Sequence, residues 1–303
     1  MKKYILTIII SFLVLELYSQ EFILSHTGDY LGQTPPKDSA IIFAPEIISV
    51  TNRGEYAFAI SPNHDEYFYN AGRSKDTTVA FGLLHMKRIN DKWLKPQKAN
   101  LNQEDFWEQE AFFSPDGNDI YFAVSYRDSN TRYTKIWLSH KTKNGWSKGE
   151  PLNSPINDSA KRLFYATFSK NGNMYYTNVD SLKIHISDNN NGNYNNFKEI
   201  GLPRAGHAYI APDENFIIFD SRQSDCYGKS DIYIAFKTID GNWSEALNLG
   251  PQVNTEYAET CPSLSPDGKY IFFGRYNDEN GKSNIYWLSS EIIDKLREKS
   301  IEE

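Results

Sequence analysis

Residues 261–288 read CPSLSPDGKYIFFGRYNDENGKSNIYWL, and they decide the fold. Ser265-Pro266-Asp267-Gly268 is a turn by its chemistry. Proline pre-sets φ at the second position, the aspartate carboxylate braces the backbone, and glycine accepts positive φ. Ile271-Phe272-Phe273 and Asn284-Ile285-Tyr286-Trp287 follow it, β-branched and aromatic runs too short and too punctuated for a long helix. The unit recurs. Ser61-Pro62-Asn63-His64, Ser114-Pro115-Asp116-Gly117, Ser169-Lys170-Asn171-Gly172 and Ala211-Pro212-Asp213-Glu214 are its relatives, and the five starts lie 53, 55, 42 and 54 residues apart. A period of this size made of short strands marks an all-β propeller with one repeat per blade.

Each unit carries a third strand, such as Lys135-Ile136-Trp137-Leu138 or Asp231-Ile232-Tyr233-Ile234, and then a tail with an aromatic residue: Trp93, Trp146, Tyr194 or Trp243. Inner, second, third and aromatic outer strand make a four-stranded blade. The fifth unit lacks the tail. Ile41-Ile42-Phe43 precedes the first unit where a previous blade's tail would stand, so the N-terminal strand is expected to close the ring and remove two sheet edges. The reading is five blades, or six if one is degenerate. The propeller covers 41–290, an N-terminal segment 20–40, and a short C-terminal helix or tail 291–303, with Ile292, Ile293 and Leu296 as its apolar stripe.

Lys2-Lys3, an apolar core from Tyr4 to Leu15 and small Ser19 read as a signal peptide over 1–19. The rival reading, a membrane span, suffers from the short run and from Glu16. Export implies a periplasmic or secreted protein, with no membrane insertion after cleavage. Removing that segment moves the net charge from −7 to −8. A mildly acidic chain with scattered charge gives no case for nucleic acid. A monomer that needs no cofactor is expected. The two cysteines, Cys226 and Cys261, fall in loop classes that emerge on one face of adjacent blades, so a disulfide and two separate buried thiols both stay open.

Several motifs lose their functional reading in this frame. Gly145-Trp146-Ser147-Lys148-Gly149 spells a nucleophile elbow, but it sits in a blade tail rather than on a strand-to-helix turn. The Gly-Lys-Ser tripeptides at 228–230 and 281–283 lack the upstream glycine of a phosphate loop. The Asp188–Gly192 segment has Asn193 where a calcium loop needs glycine. Six histidines are dispersed, so no metal site and no catalytic residue are assigned. One constellation stands out. Arg73, Arg127, Arg222 and Arg275 follow the second strands, with Asp180 in the third unit. Glu55, Glu108 and Glu259 lie six residues before the turn serine, and Glu110 and His207 four before theirs. Near the channel mouth such groups would hold an anionic or polyhydroxylated ligand. Alternatively, Arg and Glu pairs stitch the blades, and then the pattern-breaking His207 and Asp180 carry ligand-specific roles.

The stretch from Cys261 to Leu288 resembles the TolB-like, WD40-type propeller repeat of exported bacterial proteins, and the resemblance covers roughly 41–290. It implies the fold and leaves the activity open. TolB itself carries an N-terminal α/β domain, and only about 20 residues separate the signal from residue 41 here. The expectation is an exported module that binds a protein or a small polar or anionic ligand through its channel face. The alternative is a stand-alone propeller enzyme acting on a glycan through carboxylates such as Glu108 and Glu259.

Overall fold

Each Ser-Pro-Asp-Gly turn joins the inner strand of a blade to its second strand. In blade two Ser114 Oγ donates to Asp116 Oδ1 at 2.6 Å and accepts the Asp119 amide at 3.0 Å, while Asp116 accepts the Asn118 amide at 3.1 Å. Blade five repeats these contacts with Ser265, Asp267, Lys269 and Tyr270. Blade four has Ala211 in place of the serine and keeps only the Asp213–Asn215 half. The structure is a computed structural model and describes residues 22–51, 53–72, 80–102, 106–152, 155–202, 204–277 and 282–302. Segment 1–19, read from the sequence as a signal peptide, and Arg73 lie outside the described residues.

Five antiparallel four-stranded blades form the ring. Blade one is Glu55–Ile60, Glu66–Ala71, Gly82–Ile89 and Gln97–Lys98; blade two is Trp107–Phe113, Asp119–Asp128, Thr131–Thr142 and Glu150–Pro151. Blade three is Leu163–Phe168, Met174–Asn178, Lys183–Ser187 and Phe197–Glu199. Blade four is Ala205–Ile210, Phe216–Ser221, Asp231–Phe236 and Leu247–Asn248. Blade five is Ala258–Leu264, Tyr270–Asn277 and Lys282–Ser289, completed by Ile41–Ile42 from the N-terminal side. The aromatic tails pair as expected in blades one and two, where Trp93 lies opposite Arg88 and Trp146 opposite Lys141, and Trp243 forms a single bridge with Lys237 in blade four. The ladder then resumes three or four residues beyond each tail aromatic, at Gln97, Glu150, Phe197 and Leu247.

Ring closure follows the sequence reading: Ile41 pairs with Trp287 and Ile42 with Tyr286. The N-terminal segment does more than close blade five. Strand Phe22–Thr27 pairs with Lys92–Leu94 on blade one, so one stretch of chain fastens both sides of the seam. Between them Phe43, fully buried, packs with ring centroids 5.0 Å from Phe58, 5.1 Å from Phe272 and 5.1 Å from Trp287. Blade-to-blade hydrogen bonds repeat around the ring. Thr167 Oγ1 donates to Ala208 O at 2.9 Å, and Ser263 Oγ to Phe58 O at 2.6 Å. The C-terminal helix Glu291–Glu302 covers blades four and five with Ile292, Ile293 and Leu296. Among the described residues no helix is long and apolar enough to cross a membrane.

Every inner strand carries a register break: between Tyr56 and Ala59, Gln109 and Phe112, Phe164 and Thr167, and Thr260 and Ser263 at one place relative to the turn, and between Ala205 and Ala208 one residue earlier in blade four. Such a bulge re-aims a side chain that an unbroken pleat would send elsewhere.

Candidate functional site

The position four residues before each turn start falls inside these bulges. Its occupants are Ala57, Glu110, Tyr165, His207 and Cys261, one per blade. Four of the five hold left-handed backbone, with φ of 53°, 57°, 57° and 54° at Ala57, Glu110, Tyr165 and Cys261. For residues with a Cβ that costs of order 1–2 kcal/mol each, so the surrounding ladder must enforce it. The position two residues later, nearer the turns, holds Ala59, Phe112, Thr167, Tyr209 and Ser263. Those side chains and the turn prolines line a cavity of about 250 Å³ at the turn-side mouth. Phe112 packs edge-on against Tyr165 with centroids 4.7 Å apart, so the two layers meet as aromatic packing.

Three of the five bulge positions bring chemistry together. His207 Nε2 lies 3.5 Å from Glu110 Oε1, and one donor atom from each of Glu110, His207 and Cys261 falls within 4.8 Å of the others. The residues come from blades two, four and five. Glu110 and Cys261 are buried, and the His207 side chain keeps 20% of its exposure, so solvent reaches the group through the imidazole. Asp220, on the second strand of blade four, fixes the histidine: its Oδ1 accepts His207 Nδ1 at 2.7 Å, the His207 amide at 3.1 Å and the Cys261 amide at 3.1 Å. The imidazole stacks on Phe164 at 4.5 Å and meets Tyr165 edge-on at 5.0 Å. Gly206 makes room for the carboxylate, since a Cβ there would lie 2.2 Å from Asp220 Oδ2. Burial alone would favour the neutral ring, but the Asp220 carboxylate outweighs it and holds His207 well above the ordinary histidine range. Burial pushes the Cys261 thiol up, with the neighbouring histidine opposing. Glu110 Oε2 is buried without a hydrogen-bond partner.

Asp220 has counterparts that explain its place. On the same second-strand position of blade one, Asn70 donates to Glu108 O at 3.0 Å and accepts the Glu110 amide at 2.7 Å. In blade three Thr177 donates to Gly206 O at 2.6 Å. Each clamps the bulge of the following blade. Blade four alone of these uses a carboxylate, and that charge also reaches His207.

The other sequence candidates lie elsewhere. Glu55, fully buried, bonds Arg53 Nε at 2.6 Å, and Arg53 in turn donates to Ala80 O and Ile48 O. Burial pushes the Glu55 carboxyl up to about 7 against that guanidinium. Glu259 accepts Arg275 Nε at 2.8 Å, Thr255 Oγ1 at 2.7 Å and the Thr255 amide at 3.1 Å. Glu108 accepts Asn102 Nδ2 at 2.7 Å and the Asn102 amide. Burial raises both carboxyls. Each of these glutamates therefore ties the segment entering its blade to the inner strand. Arg275 lies 4.2 Å over the Tyr286 ring. Arg127 and Arg222 are exposed, and Asp180 accepts Arg162 Nε at 2.8 Å within blade three. Among the described residues, the arginines and glutamates do not assemble into one ring.

The alternative of a disulfide gives way to two free thiols. Cys226 lies half-buried against Ser221 O within blade four, whereas Cys261 is re-aimed by its bulge towards His207. Ser147 of the apparent nucleophile elbow accepts the His140 amide and donates to Lys148 O, a turn role. Arg53 and Asp220 escape sequence reading because their roles depend on strand register. Cys261 was reachable by counting four residues back from Ser265.

Fold and site together define a five-bladed β-propeller with a mixed nitrogen, oxygen and sulfur cluster at its centre. No family model matches the chain, and no curated protein matches its sequence. Among solved structures it is similar to the native arabinanase Arb43A of Bacillus subtilis, at 12% identity over 79% of this chain and 94% of that one, with a TM-score of 0.50. The endo-arabinase of Bacteroides thetaiotaomicron matches at 13% identity, 80% and 96% coverage and a TM-score of 0.50. A TolB neighbour, the putative TolB of Agrobacterium tumefaciens, matches at 16% identity, 78% and 76% coverage and a TM-score of 0.49. At these identities the likeness is one of fold.

Proposed function

We propose that the protein is an exported binding module that captures a small polar ligand at the centre of its propeller, around Glu110, His207 and Cys261. The observation that carries this reading is the shared bulge, which delivers three unlike donors from three separate blades to one point beside an unsatisfied carboxylate oxygen. An anionic ligand is the weaker choice, because Arg275 is engaged by Glu259 while Glu110 and Asp220 put negative charge at the centre. Glycan cleavage is the second reading. A glycosidase needs two carboxyl groups about 5–10 Å apart with the sugar between them. Glu55 and Glu108 each spend one oxygen on a strand-entry contact and Glu259 spends both, and between Glu110 and Asp220 stands the His207 ring.

The test is calorimetric titration of the chain from residue 20 with a panel of oligosaccharides and short peptides, run in EDTA and again with zinc chloride. At least one ligand is expected to bind and to lose tenfold or more in His207→Ala, while Arg127→Ala binds as the parent does. Equal binding by His207→Ala, or no binding in either buffer, overturns the assignment. Hydrolysis of arabinan or xylan that disappears in Glu110→Gln overturns it in favour of the enzyme.

A further inference from the structure

Resting on that reading of the channel, we propose that Glu110, His207 and Cys261 form a three-ligand site for a divalent transition metal of the zinc class. Asp220 is its positioning residue. The proposal stands on geometry first. A tetrahedral zinc with bonds of about 2.0–2.3 Å sets its donors roughly 3.3–3.8 Å apart. Glu110 Oε1 and His207 Nε2 are already 3.5 Å apart, and the 4.8 Å limit on the whole group leaves the thiol at most about an ångström to travel, a χ1 rotation of roughly 30° at a modest rotamer cost.

The supporting contacts fit the same purpose. With Nδ1 bonded to Asp220 at 2.7 Å, the imidazole presents Nε2 to the channel, and Phe164 and Tyr165 hold its plane. A carboxylate behind the far nitrogen of a histidine is the arrangement that orients and strengthens a metal-binding imidazole. Asp220 also holds the Cys261 amide, so one side chain sets two of the three donors. Glu110 Oε2 supplies a second observation, shared by Glu55 Oε2 and Glu108 Oε2, but only Glu110 of the three clusters with an imidazole and a thiol among the described residues. Its Oε2 is a buried carboxylate oxygen without any hydrogen-bond donor, on a residue only 5% exposed, and such an atom is costly unless a cation meets it.

The donor set selects the metal class. One thiolate, one imidazole and one carboxylate suit zinc, cobalt or nickel, whereas calcium and magnesium ask for six or more oxygens. Three protein ligands leave a fourth position, where a small polar ligand can be held through the metal. Metal binding here displaces two protons to solvent, one from the Cys261 thiol and one from Nε2 of the His207 imidazolium.

The experiment uses the chain from residue 20, stripped with EDTA under reducing conditions and titrated with cobalt(II) chloride, then zinc chloride. The expected result is one cobalt per chain, a thiolate-to-cobalt charge-transfer band in the near ultraviolet, and displacement by zinc but not by calcium. Cys261→Ser should abolish the band, Cys226→Ser should keep it, and Glu110→Gln should weaken binding at least tenfold. Asp220→Asn should weaken it by about 10–100-fold with the band retained, as an outer-shell role requires. Far-ultraviolet circular dichroism identifies any variant that fails to fold; Glu110→Gln, isosteric and leaving the thiol in place, then decides. No band from the folded parent chain, or a band that survives in Cys261→Ser, overturns the site. Ligand binding that is equal in EDTA and in zinc overturns the metal alone and leaves the binding module standing. A cobalt band without any organic ligand overturns the module and leaves the metal.

Discussion

Glu66 joins two blades through a carboxylate whose side chain is 2% exposed. Its Oε2 accepts His85 Nε2 and Trp146 Nε1, each at 2.8 Å, and Oε1 lies 2.9 Å from Lys141 Nζ. His85 belongs to blade one, while Lys141 and Trp146 belong to blade two. Burial alone would raise the Glu66 carboxyl, but these partners outweigh it and hold it down from 4.5 to about 2. That displacement corresponds to roughly 3 kcal/mol, trimmed towards 2 because Lys141 is one-third exposed. The sign is fixed by the depressed value. The unfolded chain takes up the proton first, so the stabilisation is complete above about pH 4.5 and is lost as pH falls through about 2. Glu66→Gln keeps the volume and one acceptor but removes the charge. The expected loss at pH 7 is about 2–3 kcal/mol by urea unfolding, or roughly 3–6 °C in Tm for a chain of this size. Between pH 4.5 and 2 the variant should lose less stability than the parent. A variant within about 0.5 kcal/mol of the parent at pH 7, with superimposable acid limbs, would refute the clamp.

Two further outcomes test the seam and the centre. Phe43→Ala removes a ring buried between Phe58, Phe272 and Trp287 and should cost about 3–5 kcal/mol in urea unfolding; a loss under 1 kcal/mol would mean that the N-terminal segment does not hold the ring closed. Gly206→Ala drives a Cβ to 2.2 Å from Asp220 Oδ2, a carboxylate held by three hydrogen bonds, and should cost about 1–3 kcal/mol by the same assay, whereas a neutral or stabilising result would show that the carboxylate moves freely.

The fold was legible because its punctuation is local. Proline, aspartate and glycine act within four residues, so each Ser-Pro-Asp-Gly turn announces its blade without help from the rest of the chain. The seam was legible for a related reason: a fifth unit without a tail and a spare apolar strand upstream leave one economical pairing, Ile41–Ile42 on Tyr286–Trp287. The aromatic tails at Trp93 and Trp146 were legible as strand residues, and only the second stretch of pairing beyond them, at Gln97 and Glu150, carries no local signal. At the centre, Glu110 and His207 were picked out by their distance from the turn. Cys261 has the same distance, but loop class leaves a bridge to Cys226 and two separate thiols both open, since it says nothing of where a thiol points. Asp220 was out of reach. Its partnership with His207 depends on a bulge, and a bulge is one residue of backbone displacement that no side-chain pattern in this chain records.

That bulge separates architecture from chemistry. Alanine, glutamate, tyrosine and cysteine all sit at it with φ between 53° and 57°, so the backbone there accepts a methyl group, an acid, a phenol or a thiol alike. The ring thus behaves as a socket with five interchangeable pins, each addressed by counting back from its own turn. Blade one holds the smallest pin, Ala57. A histidine or carboxylate written there would enlarge the central cluster without rewriting the scaffold, and through such single-letter changes a ring of this kind can exchange one ligand for another while its blades stay as they are.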